Sequence, residues 1–293
     1  MRYVAPTTVD EALDLLAEHG DDAKLLAGGQ SLLILMRERL VEPDVLIGLT
    51  DVAALRGIEV DGDARIGAMT THAAVAGDAG IGARWPVLAA TEATVSTTQI
   101  RNRGTIGGNI AHAFPTADPP AALIALDARI HLASKARGDR VVPVEEFFAG
   151  LMETVAEPDE LLTTISLPPQ PDGAFGAYVK YAVRPLDFAI VGVAARIVLD
   201  GDGAFSDVRI GLNGAANRTL RATGAEAVLL GERSSDALLA RAGEIAGRDA
   251  DPIADIDGSS EYKRHVIGVY TRRVLEQAVA AASAARAHEP LLG

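Results

Sequence analysis

Two loops with paired glycines are the features that most restrict how this 293-residue chain can fold. Residues 26–32 read Leu-Ala-Gly-Gly-Gln-Ser-Leu between a predicted strand and a predicted helix, and residues 103–110 read Arg-Gly-Thr-Ile-Gly-Gly-Asn-Ile. Paired glycines let the backbone approach a ligand closely, and consecutive N–H groups can form a concave anion site. Ser31, Thr105 and Asn109 add polar side chains. Two such loops suit two faces of one pyrophosphate, although glycine turns also occur for purely structural reasons.

Charge and cysteine content exclude several classes of function. The chain has 27 Lys and Arg against 40 Asp and Glu, which gives a net charge of −13. Nucleic-acid binding through a cationic face is therefore not expected. The absence of cysteine excludes disulfides, thiolate zinc sites, cysteine nucleophiles and iron–sulfur ligation by this chain. The six histidines do not pair at metal-ligand spacing, so no metal site is predicted.

Hydropathy indicates a protein without membrane segments. No run of about 18 or more uncharged apolar residues occurs, which predicts no transmembrane helix. The N-terminal residues lack the apolar region of a signal peptide. We therefore expect a cytoplasmic location.

Hydrophobic patterning predicts three units. Residues 1–55 alternate helix and strand, and residues 56–172 begin with a hairpin and end within the linker Pro-Pro-Gln-Pro-Asp-Gly at 168–173. Residues 173–293 hold three predicted strands followed by helices. The strands are expected at 175–183, 189–199 and 205–212, and the helices at about 223–230, 235–247 and 260–287.

Local signals set two further expectations. Thr8 or Thr7 before two acids predicts a helix start, and Gly20 predicts its end. The stretch 100–118 is rich in Gly, Asn and Pro, which predicts mostly loop.

Each glycine loop lies within a longer motif. These are Ala-Gly-Gly-Gln-Ser-Leu at 27–32 and Ile-Arg-Asn-Arg-Gly-Thr-Ile-Gly-Gly-Asn at 100–109. In this order they resemble the FAD-binding medium subunits of molybdenum hydroxylases. That family includes carbon monoxide dehydrogenase medium chains, quinoline-oxidoreductase-type subunits and the flavin domain of xanthine dehydrogenase. Further similar segments lie at 3–6, 46–49, 66–71, 117–121, 146–150 and 258–264.

The resemblance implies an α+β fold. A two-part FAD-binding domain of the vanillyl-alcohol-oxidase (PCMH-like) type is expected first. An α+β C-terminal domain with a three-stranded antiparallel sheet and a helix bundle is expected to follow.

The resemblance also implies a set of cofactor-binding residues but no catalytic residue and no metal ligand. Two pyrophosphate segments are implied, and five further residues would lie near the cofactor. The full set is Ala27, Gly28, Gly29, Gln30, Ser31, Leu32, Thr105, Ile106, Gly107, Gly108, Asn109, Asp118, Leu162, Lys180, Asp187 and Phe188.

Two of these positions depart from the pattern of many relatives. Phe188 stands where many relatives carry tyrosine. The aromatic ring can still contact the flavin, but it has no hydroxyl to form a hydrogen bond. Gln30 stands where carbon monoxide dehydrogenases usually carry histidine, and it is similar to the quinoline-type branch. This argues against carbon monoxide as the substrate. Arg101 and Arg103, beside the second loop, could steer FAD, pair with acids or face a partner.

The implied function is electron transfer through FAD. A molybdenum cofactor and [2Fe-2S] clusters are expected on partner chains, namely a large molybdopterin subunit and a small iron–sulfur subunit, with the whole assembled as a dimer of heterotrimers. The missing cysteines agree with clusters on another chain. Two alternatives remain open: a stand-alone FAD-dependent oxidoreductase with its own small substrate, and a non-catalytic nucleotide-binding module.

Overall fold

A computed structural model describes residues 1–288, and its N-terminal part is a parallel sheet flanked by helices. The strands are β1 (Arg2–Val4), β2 (Ala23–Leu26) and β3 (Val45–Gly48), and the helices are α1 (Val9–His19) and α2 (Leu32–Arg37). The strand order is β1-β3-β2. A capping box of Thr8 and Glu11 starts α1, and Gly20, with a φ of 50°, ends it. Of the two candidate caps, Thr8 is the one used, and the end of α1 at Gly20 lies where the sequence predicts it.

The following residues form a five-stranded antiparallel sheet with helices against it. Its strands are β4 (Ile58–Asp61), β5 (Asp63–Gly67), β6 (Arg129–Ala133), β7 (Arg140–Pro143) and β10 (Leu161–Leu167). A separate small hairpin between β7 and β10 consists of β8 (Phe148–Gly150) and β9 (Glu153–Thr154). The helices are α3 (His72–Gly77), α4 (Ala79–Arg84), α5 (Pro86–Ala93), α6 (Thr98–Arg101), α7 (Ile106–His112), α8 (Asp118–Ala125) and α9 (Val144–Phe147). The sheet order is β4-β5-β10-β6-β7.

The C-terminal residues form an antiparallel sheet against three helices. The strands are β11 (Ala174–Tyr181), β12 (Val191–Leu199), β13 (Phe205–Asn213) and β14 (Leu220–Arg221). The helices are α10 (Thr223–Leu229), α11 (Asp236–Asp249) and α12 (Ser260–His288). The expectation of three strands is corrected to four, in the order β11-β12-β13-β14. The fourth strand has only two residues, too few for an alternating pattern to show in the sequence.

The stretch 100–118 is more helical than the sequence predicts. It contains the end of α6, all of α7 and the first residue of α8. The hydroxyl of Thr105 accepts the N–H of Gly108 and so caps α7. Gly107 lies against Ala68, where a Cβ would not fit. Tertiary packing and the cap thus outweigh the poor helix propensity of glycine.

The described chain is of mixed α+β class, with three clusters of buried hydrophobic side chains. No helix within residues 1–288 is long and apolar enough to cross a membrane. The division into units 1–55, 56–172 and 173–293 stays a prediction.

Candidate functional site: two glycine loops and a neighbouring cavity

The two glycine loops are in direct contact. A Cβ on Gly28 would overlap the carbonyl of Arg103 and lie 2.8 Å from the Cα of Gly104. A Cβ on Gly108 would lie 3.3 Å from the Cβ of Ala27. Only glycine at position 28 allows the loops to meet this closely. The sequence predicts two loops around one ligand, and the fold does bring them side by side.

The first loop presents unused main-chain donors. Within the described chain, the N–H groups of residues 28–31 donate to no protein acceptor. Gly29 has a φ of 73°, a conformation that favours glycine, and the Gln30 side chain donates to the Gly28 carbonyl over 3.0 Å. The loop is thus held in shape while its amides stay available for an anion.

The second loop differs from the sequence expectation, because its amides are already bonded. Ile106 donates to the Thr70 carbonyl and Gly107 to the Ala68 carbonyl, each over 3.0 Å. The Gly108 amide donates to the Thr105 hydroxyl over 3.1 Å. This loop therefore offers close approach and side-chain groups instead of an open row of N–H donors.

A cavity of about 400 Å³ opens beside the second loop. Its size lies within the usual range for small-molecule sites. Its lining includes four of the residues singled out in the sequence, namely Asn109, Asp118, Asp187 and Phe188. Ala117 and Leu186 also line it, and both belong to segments that resemble the family. Sequence reasoning missed the others, which are Val95, Ser96, Val183, Ile190 and Asp257. Ser96 has a φ of 43°, a strained backbone conformation that no local sequence signal predicts.

Asp118 is the most buried acid of the cavity wall. Its Oδ2 accepts from Nζ of Lys180 over 2.8 Å, and its Oδ1 accepts from the Tyr178 hydroxyl over 2.5 Å. Burial raises the pKa of the Asp118 carboxyl, and the charge of Lys180 opposes that rise. Burial also raises the pKa of Tyr178 well above its ordinary value, so the phenol stays a neutral donor. The Asn213 amide donates to the Ala117 carbonyl over 2.6 Å and so ties β13 to this segment.

The segment 183–188 forms the outer side of the cavity. Phe188 is 64% exposed and lies 5.2 Å from the Phe114 ring, which in turn stacks on His112. Burial lowers the pKa of His112 and favours a neutral ring. Asp187 accepts from Arg184 over 3.1 Å, so its carboxylate is partly neutralised at the cavity edge.

The other twelve residues of the predicted set, the first glycine loop among them, do not line this cavity. Leu162 lies on β10 in the core of the middle sheet and does not line the cavity, and Leu32 begins α2. The guanidinium of Arg101 donates to the carbonyls of Val95 and Ser96, two residues of the cavity wall. Arg103 is exposed. Among residues 1–288, no three potential metal-binding side chains are grouped to hold an ion.

The polar groups of the two loops and of the neighbouring cavity fit an FAD molecule. Free amides in the first loop and the Thr105 hydroxyl suit a pyrophosphate. The Oδ1 of Asn109 is buried on the cavity wall with no hydrogen-bond partner in the described chain. A hydrogen-bond donor on a bound ligand would satisfy this buried amide oxygen.

Comparisons with known proteins agree with this fit. Residues 1–170 match the FAD binding domain in molybdopterin dehydrogenase, and residues 176–278 match the CO dehydrogenase flavoprotein C-terminal domain. The chain belongs to this flavoprotein family.

Individual relatives span almost the whole chain. It is 36% identical over 278 residues to the 6-hydroxypseudooxynicotine dehydrogenase complex subunit alpha of Paenarthrobacter nicotinovorans, covering 94% of each chain. It is 34% identical to the xanthine dehydrogenase FAD-binding subunit of Escherichia coli O157:H7, covering 96% of each. Its fold is similar to a solved chain of carbon monoxide dehydrogenase from Hydrogenophaga pseudoflava, with a TM-score of 0.92, 38% identity and coverage of 96% of this chain and 98% of that one.

Proposed function

We propose that this flavoprotein-family chain is the FAD-binding electron-transfer subunit of a molybdenum hydroxylase. The observation that carries the proposal is the contact of the two glycine loops beside a cavity walled by a buried, lysine-paired acid. The two-part FAD-binding fold of the PCMH type and the three-unit division belong to the same proposal. The full-length similarity to FAD-binding subunits supports it.

The chain's own residues would bind and orient the cofactor. The free amides of residues 28–31 would hold the pyrophosphate, and Thr105 and Asn109 would bind beside it. Asp118 and Lys180 would set the charge along the cavity wall, and Phe188 would shield its mouth from water. FAD, when bound, supplies one- and two-electron redox chemistry, and the protein supplies position and electrostatics.

Partner chains follow from what this chain lacks. With no cysteine, it has no thiolate for a [2Fe-2S] cluster, so the clusters would lie on a small iron–sulfur subunit and the molybdenum cofactor on a large molybdopterin subunit. Val183, Leu186 and Phe188 are 68%, 54% and 64% exposed around the cavity mouth. Grouped exposed apolar side chains are typical of protein interfaces. We place the partner contact here, within a cytoplasmic dimer of heterotrimers.

FAD selectivity tests the assignment of the loops. The chain stripped of flavin is expected to bind FAD at least tenfold more tightly than FMN, because FMN has no pyrophosphate for the first-loop amides. Titration calorimetry or flavin fluorescence gives both dissociation constants. Equal affinity for FAD and FMN would show that the loops do not bind a pyrophosphate.

Assembly tests the electron-transfer role. A tagged chain purified from its native cells is expected to carry iron and molybdenum with it, and Leu186→Asp should reduce both metals at least tenfold while more than half of the FAD remains. Leu151→Asp is the matched control, because Leu151 is 55% exposed on the turn between β8 and β9. A metal-free monomer or homodimer with full activity on an organic substrate would instead support the stand-alone oxidoreductase.

A further inference from the structure

A buried acid–base pair lies beside the second glycine loop. His72 Nδ1 and Glu92 Oε2 are 2.5 Å apart, and their side chains are 4% and 0% exposed. His72 opens α3 and Glu92 lies in the last turn of α5, so the pair joins two helices. Glu92 Oε1 is buried and has no hydrogen-bond partner in the part of the chain that the structure describes. An unpaired buried oxygen costs free energy, so packing of α3 on α5 does not by itself account for an acid here.

The imidazole of His72 lies against the loop backbone. A Cβ on Gly104 would stand 3.0 Å from Cδ2 and 3.4 Å from Nε2 of the ring. The His72 main-chain N–H donates to the Gly104 carbonyl over 3.1 Å. Ring and backbone of one residue therefore both contact the residue that precedes Thr105.

Gly104, together with the preceding Arg103 carbonyl, is also where the first loop touches the second. Its Cα would lie 2.8 Å from a Cβ on Gly28. A series of contacts thus runs from Glu92 through His72 and Gly104 to Gly28. The His72 ring thus packs against the loop backbone on which the first loop rests.

We propose that Glu92 and His72 are positioning residues that set the spacing between the two glycine loops, and with it the affinity for the pyrophosphate of FAD. Glu92 fixes the ring by accepting from its Nδ1, and the ring supports Gly104. The inference rests on the proposed FAD site. It assigns a role to two buried groups that do not line the cavity.

The double variant His72→Leu/Glu92→Leu tests this role. It replaces both polar partners together, and such replacements preserve stability better than removal of one partner. The dissociation constants of FAD, ADP and riboflavin are measured on flavin-free protein, and thermal unfolding is followed in parallel. FAD and ADP should bind at least tenfold more weakly, because both carry the pyrophosphate, while riboflavin affinity stays within twofold.

Three further variants separate positioning from simple structural support. Glu92→Gln keeps an acceptor for His72 and should bind FAD within threefold of the native chain. His72→Gln takes the ring away from Gly104 and should reproduce the selective loss even if the double variant does not fold. Thr91→Val is the control on α5, because the buried Thr91 hydroxyl donates only to the Val87 carbonyl of the same helix.

The outcomes distinguish this inference from the function on which it rests. Native-like FAD affinity in both the double variant and His72→Gln, or equal weakening of FAD and riboflavin, would overturn the positioning role and leave the FAD site intact. A native chain that binds neither FAD nor ADP would overturn both.

Discussion

Gly28→Ala is expected to reduce bound FAD to less than a tenth of the native content. The added methyl group would overlap the Arg103 carbonyl, and a backbone carbonyl cannot swing aside as a flexible side chain can. The loops would have to separate, and the amides of residues 28–31 would move away from Thr105. Flavin absorbance per chain after purification, and after incubation with excess FAD, measures the effect.

Two other substitutions calibrate this result. Gly82→Ala is the control, because a Cβ there meets nothing within 4 Å on α4. Its FAD content should equal that of the native chain. Gly108→Val should also lose most FAD, since a Cβ there already lies 2.8 Å from the Thr105 hydroxyl and 3.3 Å from Ala27. Full FAD content in Gly28→Ala would show that the loop contact has no role in binding.

Lys180→Met is expected to lower the free energy of unfolding by about 3–5 kcal/mol near neutral pH, the usual cost of breaking a buried ion pair from one side. Lys180 and Asp118 side chains are 8% and 5% exposed, so water cannot replace the lost ammonium group. Urea unfolding at several pH values gives the measurement. FAD content should fall as well, because Asp118 lines the cavity.

The pH dependence of this variant has a defined sign. Burial already raises the pKa of Asp118, and removing Lys180 removes the nearby charge that opposes the rise. A carboxyl whose folded-state pKa lies above its unfolded value binds more protons in the folded state. The stability it confers therefore falls as pH rises between the two values. The deficit of Lys180→Met should be largest at neutral pH and shrink on acidification.

Surface and double variants serve as controls for the buried pair. Lys135 and Asp14 are also 2.8 Å apart but are 40% and 64% exposed, so Lys135→Met should cost less than about 1 kcal/mol. Asp118→Asn/Lys180→Met should recover much of the lost stability, because no unpaired charge stays buried. Equal costs for Lys180→Met and Lys135→Met would contradict the structural assignment of Asp118 and Lys180.

Local sequence signals account for much of the secondary structure. The start of α1 and its end at Gly20 are encoded within a few residues, so the sequence alone places the end and narrows the cap to Thr7 or Thr8. The C-terminal strands β11 to β13 likewise follow hydrophobic runs that any neighbour on the sheet would bury. The prediction that residues 100–118 are mostly loop was wrong, because α7 depends on a threonine cap and on the space beside Ala68. The glycine content of the segment does not indicate whether that space beside Ala68 exists.

The sequence by itself determined the family, the two glycine motifs and the absence of thiolate ligands, since each is written in residue types and short spacings. Only the tertiary structure decided that Gly28 meets Gly104, and that the first loop keeps free amides while those of the second are bonded. It alone brought Val95 and Ser96 to the cavity wall and paired His72 with Glu92, 20 residues apart in the chain. The physical reason is that hydrogen-bond partners and close backbone approaches are set by packing between distant segments, which local pattern and propensity do not encode.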